Sequence, residues 1–148
     1  AAGPSQSVYR LYQQSTGRHF YSSNQQEIDI ISGLPESDFL NEGIAYVVAG
    51  NASQDLHRFY KPSAAMHFYT ASSSERDALI ATSDSSYLYE GVAYQVFDSQ
   101  VAPIGSTPVY RFYDPLQGTH FYTASNQEML ILESTHPNWI QEGIAWHV

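Results

Sequence analysis

Apolar and polar positions along this chain follow one pattern written three times. Residues 8–12, 56–60 and 109–113 are short aromatic runs that read as β-strands. Alternation along the last run places Arg111 and Tyr113 on one face, with Tyr110 and Phe112 on the other. Residues 13–18, 61–66 and 114–119 read as turns, where Gly17 and Gly118 supply a positive φ. Ala65 stands at that place in the middle copy, so its turn is expected to differ. Each turn leads into a His-Phe-Tyr strand that completes a hairpin: His19, Phe20 and Tyr21, then His67, Phe68 and Tyr69, then His120, Phe121 and Tyr122.

A helix follows in each copy. Asn24 with Glu27, Ser72 with Glu75 and Ser125 with Glu128 have the spacing of a capping box, in which cap and third-residue side chains satisfy each other's free amides. Residues 28–31, 78–81 and 129–132 form the apolar faces, and Pro35 and Pro137 close two of the helices. A last strand, over 44–48, 92–96 and 144–148, follows the Glu-Gly steps at Glu42, Glu90 and Glu142. In the third copy Ile144, Trp146 and Val148 line up opposite Ala145 and His147. Trp139, at the position assigned to Phe39 and Leu88 in the other copies, reads as a core or rim filler.

Spacing ties the copies together. Arg10, Arg58 and Arg111 each precede the repeated histidine by nine residues, and the Arg-to-Glu spacings are 32, 32 and 31. Such recurrence means three copies of one supersecondary unit. The expected architecture is a single α+β domain over residues 1–148, with β-β-α-β repeats at about 8–48, 56–96 and 109–148. These are expected to close around a pseudo-threefold axis as a barrel-like or propeller-like ring. Residues 1–7 read as a loose arm, and 49–55 and 97–108 as connectors rich in Gly, Asn, Ser, Asp and Pro.

Leu11, Phe59 and Phe112, with Phe20, Phe68 and Phe121, are the core residues this alternation selects. The opposite face gathers a recurrent set: Arg10, Tyr12, His19, Tyr21 and Glu42; Arg58, Tyr60, His67, Tyr69 and Glu90; Arg111, Tyr113, His120, Tyr122 and Glu142. Two roles fit these residues. One is a structural network tying each hairpin to its closing strand, because a partly buried charge needs partners. The other is three equivalent ligand sites with donors, a carboxylate and an aromatic platform, which suit sugars. Twelve tyrosines, more than a core of this size requires, favour the second.

Composition narrows the partners. A net charge of −9 with six unclustered Lys and Arg argues against nucleic acid and against an anionic membrane surface. No run approaches the 18 or so apolar residues of a membrane span. The absence of cysteine excludes disulfides and thiol chemistry. The start at Ala1 without a signal-like segment reads as a processed secreted form or the edge of a fragment, and Asn51 opens one glycosylation sequon. Three identical His and Glu sets argue against catalysis, and His19, His67 and His120 meeting around zinc is considered and set aside. No cofactor or metal is expected. His57, His136 and His147 do not recur and read as incidental.

With residues 109–115, Val-Tyr-Arg-Phe-Tyr-Asp-Pro, then Thr119–His120–Phe121–Tyr122–Thr123 and Glu142–Gly143–Ile144–Ala145, the chain resembles a secreted bacterial and fungal repeat family of unassigned function. Its signature is close to YRFYNP…GTHFYT…EGVA. The resemblance covers about residues 8–148; the first copy departs at Gln13–Gln14 and the second lacks the turn glycine. It implies an extracellular recognition role. The function expected from all this is a secreted, non-catalytic, lectin-like module with up to three equivalent carbohydrate sites. The alternative is a protein-interaction or inhibitor module presenting the turns at 13–18, 61–66 and 114–119.

Overall fold

The structure, a computed structural model, describes residues 4–33, 37–63, 65–81 and 87–148. The expected order of elements recurs three times. The first unit comprises β1 (Gln6–Gln13), β2 (Arg18–Ser22), α1 (Gln25–Gly33) and β3 (Phe39–Val48). The second comprises β4 (Gln54–Lys61), β5 (Met66–Thr70), α2 (Ser73–Ala81) and β6 (Leu88–Val96). The third comprises β7 (Pro108–Asp114), β8 (Thr119–Thr123), α3 (Asn126–Thr135) and β9 (Ile140–His147). β1 begins inside the segment read as an arm. The closing strands begin before the Glu-Gly step and run through it. Pro35 lies outside the described residues, whereas Pro137 follows the C-cap His136 of α3 as anticipated.

Each unit makes its own antiparallel three-stranded sheet, ordered β2-β1-β3, β5-β4-β6 and β8-β7-β9. The strands therefore form three separate sheets among the described residues, with no closed barrel. The hairpins pair Arg10 with Tyr21, Arg58 with Tyr69 and Arg111 with Tyr122. The outer pairings carry two bulge-like shifts, one at the alanine two residues beyond the glycine of the Glu-Gly step and one at the step itself. Gly43, Gly91 and Gly143 take φ of 92°, 97° and 92° there, and a Cβ at any of them would meet nothing within 4 Å. Conformation, not space, demands glycine at that step.

The middle turn differs from its relatives less than expected. Ala65 adopts φ of 50°, the left-handed region that Gly17 and Gly118 also occupy. Its amide donates to the carbonyl three residues back, at Pro62, whereas Gly17 and Gly118 bond four residues back. The connector at 97–108 is fastened to the chain end by paired backbone bonds, Phe97 with His147 and Thr107 with Val148.

Burial separates two kinds of core. All six predicted residues are buried, and each unit has its own cluster between sheet and helix: Leu11, Phe20 and Ile28; Phe59, Met66 and Phe68; Phe112, Phe121, Met129 and Leu132. Helix α2 has Arg76 where α1 has Ile28 and α3 has Met129, and it buries no residue fully. Phe39, Tyr87 and Trp139 pack against these clusters, so the middle counterpart of Trp139 is Tyr87; Leu88 is exposed. The other faces of the sheets share a central cluster of Val8, Tyr21, Tyr46 and Val48, Leu56, Tyr69, Tyr94 and Val96, and Val109, Tyr122 and Trp146. On β9, Trp146 turns inward and Val148 packs against this cluster, while Ile144 is exposed.

Candidate functional site

Tyr21, Tyr69 and Tyr122 correct the sequence reading most directly. The sequence pattern places them on an aromatic platform open to a ligand, yet each is only 1% exposed. β2, β5 and β8 are sheet edges, so the outward N–H and C=O of these tyrosines lack a strand partner. A tyrosine hydroxyl from another unit fills each gap. The Tyr21 hydroxyl donates to the Tyr122 carbonyl (2.6 Å) and accepts the Tyr122 amide (3.3 Å). The Tyr69 hydroxyl does the same for Tyr21 (2.8 and 3.0 Å), and that of Tyr122 for Tyr69 (3.0 and 2.9 Å). Phenylalanine could supply the packing but not this paired donor and acceptor. Tyr46 and Tyr94 are buried too, their hydroxyls hydrogen-bonded together. Tyrosine is abundant here partly because the centre consumes it.

The arginines follow the same order from unit to unit. Arg10 Nε donates to Glu42 of its own unit (2.9 Å), while Nη1 and Nη2 grip Glu128 of the third (2.9 and 3.1 Å). Arg58 donates to Glu90 (2.9 Å) and grips Glu27 of the first unit (2.9 and 3.0 Å). Arg111 donates to Glu142 (2.8 Å) and, through Nη1 alone, to Glu75 of the second (3.2 Å). Their guanidinium carbons lie 5.1–5.2 Å from the ring centres of Phe121, Phe20 and Phe68, respectively.

Glu27, Glu75 and Glu128 are the glutamates of the capping boxes, and the boxes are half realised. Asn24, Ser72 and Ser125 accept the amides of Glu27, Glu75 and Glu128, as predicted. The cap residues' own amides go to the hydroxyls of Ser22, Thr70 and Thr123 instead. That substitution frees the glutamates for the neighbouring unit's arginine. Sequence spacing alone named these residues but assigned them a local role.

His19, His67 and His120 sit beside the same carboxylates, with Nε2 at 3.4, 3.3 and 3.5 Å from Glu42, Glu90 and Glu142. They pack on Phe121, Phe20 and Phe68 of another unit and on Tyr12, Tyr60 and Tyr113 of their own. Burial, and then the adjacent arginine, lowers each imidazole from its ordinary 6.5 to about 4. All three are neutral at pH 7, with Nε2 turned toward the glutamate. Burial, the largest single influence, opposes the charge on Glu27 and Glu128, but the hydrogen bonds from Arg58 and Ser22 and from Arg10 and Thr123, together with the arginine charge, outweigh it and hold both carboxyls below the usual range. The same contest leaves the arginines raised. His57 is buried rather than incidental, with Nδ1 2.8 Å from the Tyr89 hydroxyl.

Residues 7–148 match the family described as Domain of unknown function (DUF5648). The chain belongs to that family. No curated protein and no solved structure matches the chain.

In this DUF5648 domain the inter-unit contacts leave three clefts with corresponding linings. One is walled by Arg58, Glu27, Glu90, Asn24 and Val92, a second by Arg111, Glu75, Glu142, Ser72 and Ile144, and a third by Arg10, Glu128, Ser125, Ile44 and Tyr46. Their volumes are about 120, 230 and 210 Å³. Each joins a helix start, an arginine and the strand beyond a Glu-Gly bulge. His19, His67 and His120, with Tyr12, Tyr60 and Tyr113, do not line them. Of the predicted site residues, the arginines and two of the bulge glutamates reach a cleft, and Tyr122 backs the third. Among the described residues no group of three or more His, Asp or Glu has the arrangement of a metal site, and no described helix is long and apolar enough to cross a membrane.

Proposed function

We propose that this domain is a secreted, non-catalytic, carbohydrate-binding module whose units close around a pseudo-threefold axis, with a sugar cleft at each inter-unit contact. The recurrence of corresponding clefts carries this reading. Each wall combines one or two carboxylate acceptors and a small hydroxyl or amide side chain with an aliphatic rim residue, Ile44, Val92 or Ile144. Sugars match such a surface, since hydroxyls bond to polar groups while C–H faces rest on apolar ones. The rim aliphatics replace the tyrosine platform expected from the sequence. The cyclic order of the tyrosine and Arg–Glu bonds supports the ring-like closure. Several weak sites on one chain would give avidity for a polysaccharide or a glycosylated surface.

A glycan array probed with the labelled domain tests the proposal. Binding to a defined sugar class, competed by the free sugar, is expected; an array without signal at millimolar-equivalent avidity overturns it. A second reading, recognition of a protein through the turns, has one observation in its favour: Leu116, in the turn after β7, is 84% exposed. Under that reading Leu116→Ser abolishes partner capture and leaves glycans unaffected.

A further inference from the structure

The three clefts are not equally furnished. Arg10 and Arg58 each spend Nη1 and Nη2 on one glutamate in a two-point grip. Glu27 also accepts the Ser22 hydroxyl at 2.7 Å. Arg111 makes a single 3.2 Å bond to Glu75 Oε1. Among the described residues, Arg111 Nη2 and Glu75 Oε2 have no hydrogen-bond partner. Both residues line the same cleft of about 230 Å³, whose rim is Ile144. Two oppositely charged residues, each with an unspent polar atom, thus border one concave space.

We propose, on the carbohydrate reading above, that the Arg111–Glu75 cleft is the domain's principal site and that it takes a neutral vicinal diol. One hydroxyl oxygen accepts from Arg111 Nη2, and the neighbouring hydroxyl donates to Glu75 Oε2. Both bonds are charge-assisted, and together they distinguish a diol from an isolated hydroxyl. Neutrality follows from the count of charges in the lining: Glu75 and Glu142 against Arg111 leave one net negative charge, which repels a carboxylate, sulfate or phosphate. The cleft is smaller than the roughly 300–1,000 Å³ of drug-sized pockets, which fits one sugar ring and not an extended chain. Ile144, 47% exposed, offers that ring its apolar contact. The Arg10 and Arg58 clefts have comparable walls, but their guanidinium edges are occupied, so a diol there must displace a two-point ion pair.

Matched rim variants test this without disturbing the ion pairs: Ile144→Trp, Val92→Trp and Ile44→Trp, at positions 47%, 45% and 57% exposed. The probes are the methyl glycosides of glucose, mannose and galactose, with glucuronate beside them, titrated into the ¹⁵N-labelled domain and followed by amide shifts. Expected are shifts centred on Ser72, Glu75 and the Arg111 side chain for at least one neutral glycoside. Affinity should fall by about tenfold or more in Ile144→Trp, the equivalent of one good polar contact, and stay within about twofold in the other two. Glucuronate should bind more weakly than its neutral counterpart. Equal losses in all three variants, or shifts centred on another cleft, overturn the principal site and leave the carbohydrate reading standing. A preference for glucuronate overturns the neutral diol. If none of the glycosides shifts any cleft and the glycan array is also blank, the carbohydrate reading itself fails.

Discussion

The tyrosine hydroxyls at the centre each serve two backbone groups of another unit, and that double duty sets the cost of losing one. Tyr69→Phe keeps the packing but strands the buried Tyr21 amide and carbonyl. The expected loss is about 2 kcal/mol, within the range for unsatisfied buried groups, measured as a lower urea midpoint with unchanged slope. The arginines make a different case. Arg58, with its side chain only 16% exposed, holds Glu27 and Glu90 across and within units. Arg58→Ala leaves two carboxylates facing each other's field, and a loss of roughly 2–4 kcal/mol is expected in the same assay, below the top of the buried-pair range because the glutamates are partly wet. Sequence alternation had placed these arginines and tyrosines on one face, and that is where they are. It could not say that the face is turned inward, because alternation gives sidedness and not the identity of what covers the side. Tyr12, Tyr60 and Tyr113 were sorted correctly by the same rule and end half-buried on their own histidines.

Elements show how short-range signals were reused for long-range purposes. The Glu-Gly step is a bulge in all three closing strands, with its glycine at positive φ and its glutamate bonded to the arginine of the same unit. Gly143→Ala should cost about 1–2 kcal/mol in thermal denaturation, since an L side chain at φ of 92° is strained even with open space around it. The helix starts were legible as capping boxes, and Ser125→Ala should lose about 1 kcal/mol for the cap alone. Any larger measured loss would report the displacement of Glu128 from Arg10. The reciprocal half of the box was misread. Ser22, Thr70 and Thr123, two residues before each cap and given no capping role by the sequence pattern, take over the cap amide and release the glutamate.

For the molecule as a whole, the histidines predict how stability depends on pH. His19 faces Arg10 and Glu42 with Glu128 nearby, His67 faces Arg58 and Glu90 with Glu27 nearby, and His120 faces Arg111 and Glu142 with Glu75 nearby. Their folded pKa values, about 4, lie below the ordinary 6.5, so between those limits the unfolded chain binds more protons. Stability is therefore complete above about pH 6.5 and declines as pH falls toward 4, by on the order of 2 kcal/mol per imidazole. Glu27 and Glu128, held low by their arginines, add a further decline below the ordinary carboxylate range. Melting temperatures measured from pH 7 to pH 4 should fall steeply. The triple variant His19→Gln, His67→Gln, His120→Gln should flatten the upper part of that curve. A flat wild-type curve would mean the imidazoles are protonated in the fold.

By itself the sequence determined the three units, their order of elements, the phenylalanine and leucine cores and the starts of the helices. These depend on interactions within a few residues or between adjacent strands, and their periodicity is written in each copy. Only the tertiary structure decided what the repeated Arg, His, Tyr and Glu residues face. Each arginine bonds one glutamate of its own unit and another, 31 to 118 residues away, in a different unit, and a residue's own spacing carries no record of a neighbour reached through space. The same holds for the clefts, which exist only where one unit's helix start meets another unit's arginine.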